Sequence, residues 1–167
     1  SEDIFSQAVN VGALQQATSV VVHDDGSFTL GAGADVVNSG SLNVSGEQVG
    51  EIVLLGENVT SDGDILADSR STGAAGAIEV HSVDTTLLAK NSVTSASAER
   101  GAGGDIKILG DKVGLTGNAL VSAEGGEAGG QVLIGGDKTG ANAHIRNAEF
   151  IYLGRDTAVS ADALSNG

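Results

Sequence analysis

Gly50-Glu-Ile-Val-Leu54, Gly76-Ala-Ile-Glu-Val80, Gly104-Asp-Ile-Lys-Ile108 and Gly130-Gln-Val-Leu-Ile134 are four copies of one phrase. Their first residues stand 26, 28 and 26 positions apart. A period of that size belongs to a solenoid, in which each unit stacks on the one before it. Inside each phrase a glycine is followed by apolar residues at alternate positions, the spacing of a strand with one buried face.

Two further alternating segments come after each copy in constant order. The first carries Val59 in one unit, Leu87 and Leu88 in the next, Val113 and Leu115 in the third and Ile151 and Leu153 in the last. The second reads Ile65-x-Ala67, Val93 with Ala96, Val121-x-Ala123 and Val159-x-Ala161. Three segments per unit make one coil of a three-sided parallel β-helix, with these residues on one face and Ser, Thr, Asp and Lys on the other. A weaker copy lies upstream: Gly26-Ser-Phe28-Thr-Leu30, then Val37-Asn-Ser-Gly40-Ser-Leu42-Asn-Val44, in which Phe28 falls on the inward register and Val37 answers to Val59. That makes about five coils. A helical reading fails, because the apolar spacing is two rather than three or four and strong helix formers do not cluster.

Glycine pairs such as Gly103-Gly104, Gly125-Gly126, Gly129-Gly130 and Gly135-Gly136 separate the strands and are expected at corners that need positive φ. A phosphate cradle would also require a following helix and a lysine in Walker spacing, which the sequence lacks. Residues 135–149 interrupt the pattern before Phe150-Ile-Tyr-Leu153 resumes it. They are expected to form an inserted loop, either a clip over a sheet edge or part of a binding face. The expected division is residues 1–25 as N-terminal edge strands and 26–167 as coils carrying that insertion.

Composition narrows the function classes. Of 167 residues 40% are apolar but only 2% aromatic, so the core is expected to be a narrow stack of Val, Ile, Leu and Ala. The absence of proline lets every strand donate its N–H groups to a neighbour, and the absence of cysteine excludes a disulfide framework. A net charge of −14 opposes binding to nucleic acid or to an anionic membrane surface. No run reaches the roughly 18 apolar residues of a membrane-spanning helix, so no membrane insertion is expected. The chain begins without Met and without a basic segment leading an apolar one, and reads as a mature product or an excised piece.

Taken together, Val9-Asn-Val-Gly-Ala-Leu14, Val37-Asn-Ser-Gly-Ser-Leu42, Val53-Leu-Leu-Gly-Glu-Asn-Val59, Gly129-Gly-Gln-Val-Leu-Ile-Gly-Gly-Asp137 and Ala158-Val-Ser-Ala-Asp162 resemble the filamentous haemagglutinin-like exoproteins of two-partner secretion in Gram-negative bacteria. The resemblance covers nearly the whole chain. It implies an all-β fold, a right-handed parallel β-helix (solenoid) of about five three-strand coils. It also implies a secreted or bacterial cell-surface location and export through an outer-membrane transporter partner. The implied role is non-catalytic: shaft of an adhesin or biofilm filament, flanked by neighbouring coils of a longer parent or self-associated end to end, with a host or polysaccharide receptor as a further partner. The Asn-Pro-Asn motifs of the family's secretion domain have no counterpart in this proline-free chain; Val9 to Leu14 looks like the stretch just after them, the end of a secretion-associated domain. A self-assembling extracellular fibre subunit joined end to end, and a polysaccharide-binding or polysaccharide-cleaving β-helix module, are the alternatives.

No catalytic constellation or cofactor site emerges from the residues. Asp24-Asp25, Asp62, Asp64, Asp105, Asp111 and Asp137 fall mostly at corners, which reads as a solvated face rather than the carboxylate cluster of a lyase. Asp62 and Asp64 are weak calcium candidates through oxygen ligands at a corner. His23, His81 and His144 lie on different coils without partners at metal or triad spacing. Phe150 and Tyr152 have the opposite parity to Ile151 and Leu153, so one pair faces outward. With Lys138, His144 and Arg146 of the neighbouring insertion, Phe150 and Tyr152 form the candidate partner surface, core or loop packing being the plainer reading. Asn43-Val-Ser45 and Asn58-Val-Thr60 match the glycosylation acceptor pattern and are assigned no function.

Overall fold

The computed structural model describes residues 35–137, 139 and 142–165, and the backbone of strands at 14–15, 19–22 and 28–31. Two strands, β1 (Leu14–Gln15) and β2 (Ser19–Val22), precede the coils. The first coil comprises β3 (Phe28–Gly31), β4 (Val36–Asn38) and β5 (Ser41–Asn43), and the second β6 (Glu51–Gly56), β7 (Val59–Ser61) and β8 (Asp64–Leu66). The third comprises β9 (Ala77–Ser82), β10 (Thr85–Leu88) and β11 (Val93–Ser95), and the fourth β12 (Asp105–Leu109), β13 (Lys112–Leu115) and β14 (Leu120–Ser122). The last comprises β15 (Gln131–Ile134), β16 (Phe150–Leu153) and β17 (Ala158–Ser160).

Each strand pairs in parallel with its counterpart one coil away, so every third strand joins the same sheet and three sheets wrap the chain into a solenoid. At the N-terminal end the pattern changes. β1 pairs antiparallel with β4, and β2 antiparallel with β3.

In-register pairing stacks like positions into ladders. In the first sheet Ile52, Ile78, Ile106 and Val132 align, with Leu54, Val80, Ile108 and Ile134 beside them. The backbone of Phe28 enters the same row as Ile52; its side chain lies outside the described residues. In the second sheet the row is Val36, Val59, Thr86, Val113 and Ile151; in the third it is Leu42, Ile65, Thr94, Val121 and Val159. The largest fully buried side chains are all Leu or Ile, and this aliphatic part of the core carries most of the burial energy.

Two inward positions differ from the sequence reading. Val36, not Val37, lies in the row with Val59. Thr94, not Val93, lies between Ile65 and Val121, because register is set by the flanking corners and a shift of one residue exchanges the faces. The core therefore includes polar groups. Asn38 Nδ2 donates to Ser61 Oγ at 3.1 Å and to the Asp64 carbonyl at 3.2 Å. Thr86 Oγ1 donates to the Leu109 carbonyl at 2.7 Å, which leaves the Ser82 hydroxyl to donate to Thr86 at 2.8 Å.

Of the glycine pairs expected at corners with positive φ, Gly135-Gly136 has it and Gly103-Gly104, Gly125-Gly126 and Gly129-Gly130 do not. Among the described residues only Gly117, Gly135 and Gly136 have glycine's positive φ. Gly104 and Gly130 lead their phrases for another reason: a Cβ on Gly104 would collide with the Gly76 carbonyl, and one on Gly130 with the Gly104 carbonyl. The coils approach too closely there for any side chain.

Candidate functional site

Of the sequence candidates, Phe150 and Tyr152 lie on β16 in the last coil, and Asp62 and Asp64 lie at the corner between β7 and β8 in the second. β15, β16 and β17 are each outermost in their sheets, so each presents an edge with no strand beside it among the described residues. Ile151, Leu153 and Val159 occupy inward rows yet are 46%, 53% and 45% exposed, because among the described residues no coil lies over them. Phe150 and Tyr152 point outward beside Lys112 and Gly114, at 61% and 53% exposure. Both pairs are therefore open to solvent.

The insertion is tied to this end at its C-terminal base. Gly135 and Gly136 turn the chain with φ of 72° and 149°. The N–H of Ala148 then donates to the Gly135 carbonyl at 2.6 Å, and those of Glu149 and Phe150 to the Asp111 carbonyl at 2.8 and 3.1 Å. Arg146 closes the base by pairing with the Asp111 carboxylate. The structure thus gathers Arg146, Phe150 and Tyr152 near one corner. His144 is exposed and its N–H donates to Asn142 Oδ1 at 3.0 Å; Lys138, like His23 and Asp24-Asp25, lies outside the described residues. A groove of about 430 Å³ runs along the strand β15, lined by Gly130 to Ile134, Gly136 and Asp137.

Corner carboxylates are engaged by cations from the next coil. Asp62 pairs with Lys90, and Lys112 Nζ donates to Asp84 Oδ1 at 2.8 Å. The hydrogen bond from Lys112 holds the Asp84 carboxyl below its ordinary range, and the same bond raises Lys112. The Asp62 carboxylate faces the Lys90 ammonium, and the Asp64 backbone carbonyl accepts from Asn38 Nδ2. Among the described residues no three His, Asp or Glu side chains are grouped as metal ligands would be.

The sequence reading missed a polar column on the third sheet. Directly after the small inward residue of each coil, Ser45, Asp68, Ser97, Glu124 and Asp162 line up on the outward side. Asp68 Oδ1 accepts from Ser95 Oγ at 2.5 Å and from the Ser97 N–H at 2.7 Å. Ser97 and Ser122 hydroxyls meet at 2.9 Å, and Ser160 Oγ donates to Glu124 Oε1 at 2.6 Å. Asp68, Ser97 and Glu124 line a groove of about 250 Å³ that Arg70 and Leu164 also border. The signal was present as a recurrent Ser, Asp or Glu one residue after Val44, Ala67, Ala96, Ala123 and Ala161.

This architecture defines a parallel β-solenoid. No family model matches the sequence, and no curated protein matches it. Among solved structures the chain is similar to the crystal structure of the HMW1 secretion domain from Haemophilus influenzae, with 22% identity and a TM-score of 0.48 over 78% of this chain and 51% of that one. The chain spans about half the length of that domain. No helix among the described residues is long and apolar enough to cross a membrane.

Proposed function

We propose that this chain is a non-catalytic structural segment of a secreted or cell-surface bacterial filament or adhesin, exported by two-partner secretion and used for attachment or biofilm scaffolding. The observation that carries the reading is the in-register parallel stacking of its coils. Asp62, Asp84 and Asp68 are engaged by Lys and Ser of neighbouring coils, which supports a role for these carboxylates in holding the stack together. The family phrases in the sequence support export through an outer-membrane transporter partner. Phe150 and Tyr152 are the surface on which a host or polysaccharide receptor would contact this segment.

The test is immunological. An antibody raised against this chain should find its antigen outside the producing cells, and deletion of the transporter partner should abolish that extracellular signal. Antigen confined to the cytoplasm, or export unchanged by the deletion, would overturn the reading.

A further inference from the structure

We propose that two copies of this chain associate side by side and in opposite directions, through the outward face of the second sheet over β4, β7, β10 and β13. Neighbouring coils in a longer parent extend the stack along its axis and leave this lateral face as it is. The proposal stands apart from the export reading, because it concerns what the flank of the solenoid recognises.

Three observations carry it. First, this flank is the least loaded with negative charge. Its four strands hold no Asp or Glu and a single cation, Lys112. The outward rows of the first sheet carry Glu51, Glu79 and Asp105, and the third sheet carries Asp64 with Asp68 and Glu124 directly after its strands. In a chain of net charge −14, a second copy meets the least repulsion on the second sheet.

Second, the charges of this face complement themselves when the coil order is reversed. One outward column runs Asp35, Asn58, Thr85, Lys112 from the first coil to the fourth. Asn58 Nδ2 donates to Asp35 Oδ1 at 2.8 Å, the Thr85 N–H donates to Asn58 Oδ1 at 3.2 Å, and Thr85 is in register with Lys112. A two-fold axis lying along the strands, between the second and third coils, sets the first coil of one copy on the fourth of the other and the second on the third. Each Asp35 then faces the partner's Lys112. Lys112 already donates to Asp84, yet more than half of its side chain is exposed and its ammonium has donors for both carboxylates.

Third, the shapes match under the same axis. The neighbouring outward column reads Val37, Thr60, Leu87, Gly114. Reversal sets Val37 on Gly114, which has no side chain, and Leu87 on the smaller Thr60, so a larger group meets a smaller one at every step. Copies running in the same direction would instead bring Asp35 level with Asp35 and Lys112 level with Lys112. Four coils about 4.8 Å apart, with strands of about four residues, make a face of a few hundred Å² at about 3.3 Å per residue, below the ~800 Å² per partner of a stable complex. The contact between single segments is therefore weak, with a Kd of about 0.1–1 mM.

Sedimentation and NMR diffusion from about 10 μM to about 2 mM should show that monomer–dimer equilibrium. The absence of cysteine lets its direction be trapped. Val37→Cys and Gly114→Cys, oxidised mildly as an equimolar mixture, should form the mixed disulfide well above its statistical share, and each variant alone should stay largely monomeric. The methylene added at Gly114 meets only the end of the flexible Leu87 side chain, at 3.1 Å. At the exposed positions 35 and 112, Asp35→Lys should weaken the dimer about fivefold or more, and Asp35→Lys with Lys112→Glu should recover most of that loss, both with unchanged circular dichroism. A chain monomeric at about 2 mM, disulfides as abundant in either variant alone as in the mixture, a Kd unmoved by Asp35→Lys, or no recovery in the double variant would each overturn the proposal.

Discussion

At the scale of single residues the fold depends on close contact between coils, and its weak points are where an atom cannot be matched. Thr94 is fully buried in the row between Ile65 and Val121, and its hydroxyl has no hydrogen-bond partner. An unmatched buried hydroxyl costs about 1–3 kcal/mol, so Thr94→Val should raise stability by about 1 kcal/mol in urea unfolding; a loss of stability would show that the hydroxyl is satisfied. Gly104→Ala should do the reverse and cost about 3 kcal/mol or more, because the added methyl meets the Gly76 carbonyl, which belongs to the ladder and cannot retreat. Gly46→Ala is the control. The nearest atom to its added methyl is 3.5 Å away, ordinary contact, and the change should be close to neutral.

At the scale of strands and corners, stability should grade from the middle of the stack to its open end. Ile78, covered by Ile52 on one side and Ile106 on the other, should cost about 2–5 kcal/mol when cut to Ala, whereas Ile151→Ala in the half-open last coil should cost less than about 1 kcal/mol. Equal losses would mean that the tail is covered in the isolated chain. The exposed corner pair of Asp84 and Lys112 has a definite pH signature. Asp84 is depressed, so its contribution is present above the ordinary Asp range and fades as pH falls through its lowered value. Lys112 is raised, so its contribution is present below the ordinary Lys range and fades as pH climbs through its raised value. In an NMR titration the Asp84 carboxyl should titrate below an ordinary Asp, and Lys112→Ala should move it upward; an unmoved midpoint would remove the pair. The strands themselves were legible in the sequence, because Gly-x-Ile-x-Val phrases alternate apolar and polar residues at a fixed period. The polar interior was not. Val93 and Thr94 are both β-branched, and only the corner at Lys90 and Asn91 decides which turns inward. The opposite parity of Phe150 and Ile151 was legible, but the exposure of both pairs depends on what lies over the last coil, which no residue in it encodes.

At the scale of the whole molecule, the coils are a one-dimensional array in which each unit touches only its neighbours, so cooperativity passes along the axis and the two ends differ in character. Among the described residues the N-terminal side carries two antiparallel pairings and the rest of the stack is parallel, which gives the solenoid a direction. The core rows, the corner pairs and the open tail all depend on the register between coils. The most direct test pairs two cysteines across one ladder step in this cysteine-free chain. Thr60 and Leu87 are in-register partners on the outward face of the second sheet, whereas Leu88, one residue on, faces the core beside Ser61. Thr60→Cys with Leu87→Cys is expected to form an intramolecular disulfide on mild oxidation, and Thr60→Cys with Leu88→Cys is not. Failure of the first pair, or equal cross-linking of the second, would contradict the stacked solenoid.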